Sequence, residues 1–414
     1  AIEKIKEKLD SHFSNYQLDI VQCQDEETLF RRFFLLFEDS KPDLIMGWNF
    51  CEIGFREGYD IPYLRNRAKE NDFKWINERK VMFFDLMTAA ALQLGAGSYL
   101  KLDEFAKQRL KLEKEKLKDS IYSTFVNNKI ALARYNLWDV VLCVIGIQKE
   151  GILDFYLNLA KICGCFLDDT YMKSRLVDMF ILHYLHRKDN PVVLPSLEFM
   201  KPAKVKQGGF VSNAANGLYK NVVAFDIKAE YPSIIRMFNL SPESRIRPGE
   251  FEPPGAFFTL ESGNRYIQKP KGILSIMIEE ITKLRESFIN KLKETDPKSA
   301  EFKRLDFLQY AMKFFVNSVY GVIASSYYRL ADSDIASDIT LMGQSLTKWM
   351  WQKLEDIGHV PLYSDTDSVM VSIKDLNIEN ANQIVDYLNK SFITWAQKYN
   401  GNQVETKLEI DKLF

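Results

Sequence analysis

Val360-Pro361-Leu362-Tyr363-Ser364-Asp365-Thr366-Asp367-Ser368-Val369-Met370-Val371 sets two acids, one residue apart, between two short apolar runs. The flanks predict the strands of a hairpin, which puts Asp365 and Asp367 at or beside its tip. Two carboxylates facing one volume repel and raise each other's pKa unless a cation lies between them. Asp is also an ordinary turn former, so this segment alone fits a plain turn as well as an ion site. A second acid far upstream decides between the two. In Asn221-Val222-Val223-Ala224-Phe225-Asp226-Ile227-Lys228-Ala229-Glu230-Tyr231-Pro232-Ser233-Ile234-Ile235 an apolar run ends in Asp226, and Pro232 suits the first turn of a helix. By itself Asp226 could simply cap that helix, yet an unpaired carboxylate at the end of a buried strand is expensive. Three acids presented by neighbouring strands form an oxygen-rich site of the kind Mg²⁺ prefers. Such a site leaves positions for phosphate oxygens and water, as two-metal phosphoryl transfer requires.

A third segment supplies positive charge. Residues 300–326 carry helical periodicity, with Leu305, Leu308, Met312, Phe315, Val316 and Val319 as the apolar stripe. Lys313, Asn317 and Tyr320 follow at steps of four and three and share another face. Gly321 comes next, where no side chain blocks a close neighbour. A Lys beside an Asn and a Tyr is usually a solvated face; the string Lys313-Phe314-Phe315-Val316-Asn317-Ser318-Val319-Tyr320-Gly321 is more specific than that.

Together these strings resemble the family B (alpha-like) DNA polymerases. The family's first motif reads Asp-x-x-x-Leu-Tyr-Pro-Ser-Ile-Ile, against Asp226 to Ile235 here; its second, Lys-x-x-x-Asn-Ser-x-Tyr-Gly, is matched by Lys313 to Gly321. Its third, Tyr-Gly-Asp-Thr-Asp-Ser, is matched by Tyr363 to Ser368 with Ser364 in place of Gly. Order and separation also agree. Upstream, Gly47-Trp48-Asn49 with Gly58-Tyr59-Asp60-Ile61-Pro62-Tyr63-Leu64 is similar to the second motif of the family's 3′–5′ exonuclease, with about six extra residues that a loop tolerates. Arg134-Tyr135-Asn136-Leu137-Trp138-Asp139 is similar to the third, Tyr-x-x-x-Asp. The first exonuclease motif, an Asp-x-Glu, is not found, nor are the Lys-Lys-x-Tyr segment and thumb expected after Leu408 to Phe414. The resemblance therefore implies a piece cut at both ends.

It also implies roles. Asp226 and Asp367 are expected to hold two Mg²⁺ ions, for which Mn²⁺ can substitute, with the Ile227 carbonyl as a further ligand and Asp365 close by. Lys313 and Arg285 are expected on the incoming triphosphate, Asn317 and Tyr320 on the nascent base pair. Tyr231 is expected to exclude the 2′-hydroxyl that distinguishes ribonucleotides. Where the family often has a Lys four residues beyond that Arg, this chain has Ile289, and Lys291 is the nearest substitute. Asp60, Tyr135 and Asp139 are the expected exonuclease residues, the two acids facing each other across a cleft as half of a metal site. Partners are primer–template DNA, deoxynucleoside triphosphates and a sliding clamp or other replisome proteins.

Composition bounds these readings. The 414 residues allow two or three domains, and 46% hydrophobic content suffices for real cores. No apolar run of membrane-spanning length stands out, so no membrane is expected. Five cysteines at irregular spacing argue against a disulfide framework and for a reducing cytosol, or a host cytoplasm or nucleus if the protein is viral. Cys163 and Cys165 lack a second ligand pair and read as buried thiols. A net charge of −1 excludes a uniformly basic nucleic-acid binder, so any DNA grip must come from segregated charge. The run Lys111-Leu112-Glu113-Lys114-Glu115-Lys116-Leu117-Lys118 reads as a solvated, salt-bridged helix face.

The expected architecture is multidomain, α/β and α+β. Residues 1–150 form an N-terminally incomplete RNase H-like exonuclease domain and 151–205 a helical connector. Residues 206–270 and 328–414 form two parts of a palm, an antiparallel sheet with helices, and 271–327 helical-hairpin fingers. Lys206-Gln207-Gly208-Gly209 matches the family's Tyr-x-Gly-Gly hinge except that Lys206 replaces Tyr. Two other readings compete. A stand-alone RNase H-like nuclease leaves the Lys313 helix and the Asp365 hairpin unexplained. A non-catalytic DNA-binding remnant ought to have lost acids, and a reverse transcriptase would more typically carry adjacent aspartates where Thr366 intervenes here.

Overall fold

A computed structural model describes residues 21–53, 56–78, 80–94, 100–186, 208–250, 256–325, 328–374, 376–401 and 403–414. The proline-rich end of the connector and residues Lys206 and Gln207 lie outside them. The chain divides into two compact units, 1–160 with 166–171 and 161–165 with 172–414.

In the first unit, strands β1 (Leu44–Gly47) and β2 (Met82–Asp85) pair in parallel, from Leu44 opposite Met82 to Gly47 opposite Asp85. Parallel pairing needs a crossover. Helix α1 (Glu26–Ser40), capped by the Asp25 carboxylate on the Thr28 N–H, precedes the pair, and α2 (Asp60–Glu70) lies between the strands in sequence. The loop before α2 folds back on itself: the Tyr59 N–H donates to the Asn49 carbonyl at 2.8 Å, and Ile61 to Phe50 at 2.8 Å. Those two bonds tie the start of α2, with Asp60 at its first position, back to the end of the Gly47-Trp48-Asn49 segment. Helix α3 (Leu86–Leu94) runs straight on from β2, and α4 (Lys129–Glu150) buries Trp138, Val141, Leu142 and Ile145.

Two expectations need correction here. Residues 111–118 are not helical: a short π-helical turn, Ala106–Leu110, ends at Lys111 in the left-handed conformation, φ 60°. Beyond it the Glu113 carbonyl accepts from the Trp138 indole at 2.9 Å, Glu115 pairs with Arg134 and Lys114 with Asp139. The salt bridges are real; tertiary partners, rather than helical neighbours, take up the polar groups. Second, α4 is long and apolar enough, by length and composition, to cross a membrane. One such helix is weak evidence for a span, and its buried face belongs to the core of the first unit.

The second unit is built on a four-stranded antiparallel sheet in the order β7-β8-β3-β9. Its strands are β3 (Val222–Ile227), β7 (Val360–Asp365), β8 (Ser368–Ser372) and β9 (Leu408–Leu413). The Val, Ile and Phe that make these runs strand formers also bury them: Val223, Phe225, Val369 and Val371 are sealed from solvent. Three further strands, β4 (Arg245–Ile246), β5 (Phe257–Thr259) and β6 (Arg265–Ile267), form a small antiparallel sheet in the order β4-β6-β5. Helix α5 (Ile152–Cys163) runs across the division between the units, so the boundary expected at residue 150 falls just before its start. Helix α6 (Lys173–His186) packs through Phe180 on Phe315 of a later helix, and its Asp178 pairs with Arg329 in the turn segment beyond that helix.

Helix α7 (Glu230–Met237) follows β3 directly. Helices α8 (Ile273–Glu294) and α9 (Ala300–Ile323) form the expected helical hairpin, and Ser299 caps α9 by accepting from the Phe302 N–H. Helix α10 (Ser333–Asp356) then leads into β7, and α11 (Ile378–Gln397) joins β8 to β9. None of the five cysteines is in a disulfide; of the pair expected as buried thiols, Cys163 is buried and Cys165 only partly so.

Candidate active site

Strand register brings the acids of the second unit together. Asp226 lies opposite Ser368 on β8, and the next residue, Ile227, donates its N–H to the Asp367 carbonyl at 2.9 Å. Asp365 closes the hairpin opposite Ser368, leaving Thr366 and Asp367 as its turn. Thr366 adopts the left-handed conformation, φ 57°, which a β-branched residue resists. Its neighbours hold it there. Its N–H donates to the Phe210 carbonyl at 2.8 Å, its hydroxyl to Asp365 Oδ1 at 3.1 Å, and its carbonyl accepts from the Thr347 hydroxyl at 2.7 Å. Segment 210–215 runs along the outer edge of β7, where Ser212 donates to the Ser364 carbonyl and Ala215 to Leu362. A Cβ at Gly209 would lie 2.8 Å from Thr366 Cγ2, so only glycine lets this segment close on the turn.

The electrostatics follow from that crowding. Burial first, then the charges of Asp367, Asp411 and Glu409, push the Asp226 carboxyl up to about 6, against a small opposing pull from Lys313. Asp367 is raised by burial and by Asp365. Lys313 on α9 is exposed yet close enough to be felt at Asp226 on β3. Asn317, one turn on, is exposed, and the Tyr320 ring packs on Tyr231 with centroids 4.5 Å apart. Arg285 on α8 donates to Gln309 Oε1 at 3.3 Å; burial lowers its pKa, and Glu286 and Glu409 pull the other way. The expected polymerase residues thus occupy one region of one unit: Asp226, Asp365 and Asp367 on strands, Lys313, Asn317, Tyr320, Arg285 and Tyr231 on helices around them. The Ile227 side chain is sealed in the core, which leaves only its backbone for any ligand.

Three acids escaped the sequence reading of the site. Glu409 faces Asp226 across the β3–β9 ladder, and Asp411 lies two residues further on β9. Their alternation in Leu408-Glu409-Ile410-Asp411 was the available signal. The third, Glu230, opens α7 but points inward and is 4% exposed. Burial, then the charges of Asp367 and Asp226, lifts its carboxyl to about 8. It stands where the first motif carries Leu, and that mismatch was the signal.

In the first unit the expected exonuclease residues have partners of a different kind. Asp139 on α4 pairs with Lys114 at 2.9 Å, and the same ammonium sits 4.9 Å from the centre of the Tyr135 ring. Asp60 is raised by burial and by Asp85. Asp85 is itself sealed and structural, accepting from the Phe50 and Thr88 N–H groups at 2.8 Å and from Arg56 at 3.0 Å. The Cys143 thiol is driven up to about 12 by burial and then by Asp139, Asp85 and Asp60, so all three act on it, whereas Asp139 is charge-paired with Lys114. A cleft of about 500 Å³ is walled by Lys114, Tyr135 and Ile121, but by neither Asp60 nor Asp139. Among the described residues no three His, Cys, Asp or Glu side chains are gathered closely enough to hold a metal ion, in either unit.

Comparison with known proteins gives a consistent answer. A family model described as DNA polymerase family B matches residues 169–414, and one described as DNA polymerase family B, exonuclease domain, matches residues 1–91. Tyr135 and Asp139 lie beyond the second match. The chain is 25% identical over 394 residues to a DNA polymerase of Archaeoglobus fulgidus, covering 90% of this chain and 48% of that protein. It is 25% identical over 428 residues to DNA polymerase II of Escherichia coli, covering 97% and 52%. To the DNA polymerase delta catalytic subunit of Dictyostelium discoideum it is 28% identical over 406 residues, covering 85% and 36%. Its fold matches that of a family B DNA polymerase from Pyrobaculum calidifontis with a TM-score of 0.74 at 22% identity, over 96% of this chain and 52% of that one. The chain thus spans about half the length, or less, of these relatives.

Proposed function

The chain belongs to DNA polymerase family B, and from that premise we propose that its second unit carries the site of template-directed DNA synthesis, adding deoxynucleotides to a primer 3′-hydroxyl. The observation that supports this most is the β3–β8 register, which sets Asp226 beside Asp367 within electrostatic reach of Lys313. In this reading the four-stranded sheet is the palm and the α8–α9 hairpin the fingers. Residues 1–150 correspond to part of a proofreading 3′–5′ exonuclease domain.

Two carboxylates and one backbone carbonyl are the donors open to divalent cations: burial and the Asp367 charge hold the Asp226 carboxyl at about 6 despite Lys313, and a cation would relieve both. Asp226, Asp367 and the Ile227 carbonyl would hold two Mg²⁺ ions, with Asp365 assisting from the hairpin. Bound there, such ions supply charge neutralisation and activation of the primer hydroxyl. The protein's own groups do the rest. The primer 3′-hydroxyl gives its proton to solvent as its oxygen forms a bond to the α-phosphorus of the incoming nucleotide and the bond to pyrophosphate breaks. Lys313 and Arg285 bind the triphosphate and meet charge as it develops on the leaving group; in this reading Lys313 also protonates it. Asn317 and Tyr320 line the nascent pair. Tyr231, backed by Tyr320, presents a wall to a 2′-hydroxyl. Primer–template DNA, deoxynucleoside triphosphates and a clamp or other replisome protein are the partners this reading implies.

Primer extension by the protein, with Mg²⁺ and with a chelator, tests it. Template-dependent, Mg²⁺-dependent extension is expected. Extension that ignores template sequence, or Mg²⁺-dependent degradation alone, would overturn it.

A further inference from the structure

Beneath the hairpin turn lies a polar chain that the family's motifs do not predict. Glu230 and Thr347 are both buried, at 4% and 0% exposure. Thr347 Oγ1 lies 2.7 Å from the Thr366 carbonyl and 3.4 Å from Glu230 Oε1. The other carboxyl oxygen, Oε2, has no hydrogen-bond partner. It faces Gly343 on α10, where a Cβ would come within 2.9 Å of it and 3.1 Å of the Tyr231 ring.

Proton counting fixes the direction of the chain. A threonine hydroxyl carries one proton, and the closer acceptor, the Thr366 carbonyl, takes it. The longer contact to Glu230 then forms a hydrogen bond only if the carboxyl supplies the proton. A sealed carboxyl with one oxygen unpartnered favours that neutral form on solvation grounds too. Glu230 therefore donates to Thr347 Oγ1 and leaves the Thr347 O–H turned toward Thr366, the left-handed residue between Asp365 and Asp367.

We propose that Glu230 and Thr347 are positioning residues for the nucleotidyl-transfer site: a brace from α7 through α10 that holds the Thr366–Asp367 turn against Asp226. The proposal rests on the polymerase reading of those acids. A Leu at position 230 would fill the same space but leave the Thr347 hydroxyl without an orienting partner; Gly343 is the accommodation that lets a Glu fit.

Mn²⁺ binding by the protein, followed by electron paramagnetic resonance alongside thermal melting, tests the brace without relying on turnover. Asp226→Asn should abolish the binding. Thr347→Val should weaken it by about tenfold, roughly what one hydrogen bond controls, and Glu230→Leu by about threefold. Thr347→Ser and Glu230→Gln each keep a donor in place and should stay within about twofold of the parent, since the hydrogen bond survives. Thr347→Val should also melt early, because it leaves the Glu230 carboxyl buried without a partner. The double variant Glu230→Leu/Thr347→Val removes that fault and should recover the melting temperature while ion binding stays weak. If ion binding recovers together with melting, or if Glu230→Leu and Thr347→Val bind Mn²⁺ as the parent does, the brace is wrong and the polymerase reading stands. If the parent binds no Mn²⁺, or Asp226→Asn binds it equally well, the reading of the acids fails and the brace fails with it.

Discussion

Asp139 in the first unit and Asp226 in the second are both half-buried carboxylates on regular elements, yet the protein treats them differently. Asp139 receives an internal cation, Lys114 at 2.9 Å, which is held in turn over the Tyr135 ring. Asp226 receives more anions. Asp367, Asp411 and Glu409 all push its carboxyl upward, and the cation that acts on it, Lys313, does so only through space. A folding chain left to optimise stability would settle both sites in the first way. Retaining mutual repulsion at Asp226 is the pattern expected where stability yields to chemistry, and it argues that the second site is organised around a charge from outside.

The largest effects should come from breaking that difference at the acids themselves. Asp226→Asn or Asp367→Asn keeps the shape and removes the charge. Single-turnover incorporation should fall by at least about 10²–10³-fold, the range seen when one preorganised electrostatic contact to a transition state is lost. Asp139→Asn should leave incorporation within about twofold, because it acts in the other unit on an ion pair of modest worth. A comparable loss from both substitutions would erase the distinction drawn here.

Lys313→Ala comes next. On the proposed role, in which its ammonium binds the incoming triphosphate, incorporation should drop by about two orders of magnitude, each factor of ten being 1.36 kcal/mol of barrier. Affinity for primer–template duplex should change little, since backbone phosphate contacts elsewhere dominate it. Measuring duplex affinity beside the single-turnover rate separates the outcomes: equal losses in both would return Lys313 to a general surface charge.

How much of this was readable beforehand depended on where the partner of each residue lay. The hairpin, its two acids and the Asp226 strand were legible because apolar alternation and short-range turn chemistry specify them, and strand pairing then fixes the register. The helical hairpin was legible for the same local reason: it was expected over 271–327 with helical periodicity over 300–326, and Ile273–Glu294 and Ala300–Ile323 are found. Residues 111–118 misled because their charges have helical spacing while their partners, Asp139, Arg134 and Trp138, come from α4. Periodicity cannot see a partner twenty-five residues away. Glu230 was missed for a different reason. A Glu in a helix's first turn normally faces water and the helix dipole, and only the fold shows it turned inward onto Thr347.

A more local perturbation sharpens the comparison at the turn. Gly209→Ala would drive a Cβ to 2.8 Å from Thr366 Cγ2. Overpacking of this kind typically costs about 1–3 kcal/mol, and the Thr366 turn is the part able to move. Incorporation should fall by about tenfold or more while melting shifts by only a few degrees. Restoring space with Thr366→Ser, which removes the struck methyl and keeps the hydroxyl on Asp365, should recover part of the rate. No recovery would place the damage in segment 210–215 instead of the turn.

The smallest effects carry the most direct test, because they differ in sign. Two double-mutant cycles in urea unfolding suffice, one over Lys114→Met and Asp139→Asn, the other over Asp226→Asn and Asp367→Asn. Burial leaves Asp139 above the usual carboxylate range even with Lys114 beside it, while the Asp139 charge holds the ammonium up. Single substitutions there mix desolvation with pairing, and the cycle isolates the pairing. Both side chains are about a quarter exposed, 23% and 24%, so the coupling should be favourable but only about 0.5–1 kcal/mol. The Asp226–Asp367 coupling should be unfavourable, because each carboxylate raises the cost of ionising the other. Either charge removed alone should therefore make the fold slightly more stable in metal-free buffer. Adding Mg²⁺ should reverse that sign and no other: a cation between two carboxylates turns their proximity from a cost into a site, whereas the Lys114–Asp139 pair already contains its cation. A Mg²⁺-insensitive second cycle would mean that Asp226 and Asp367 meet for structural reasons alone.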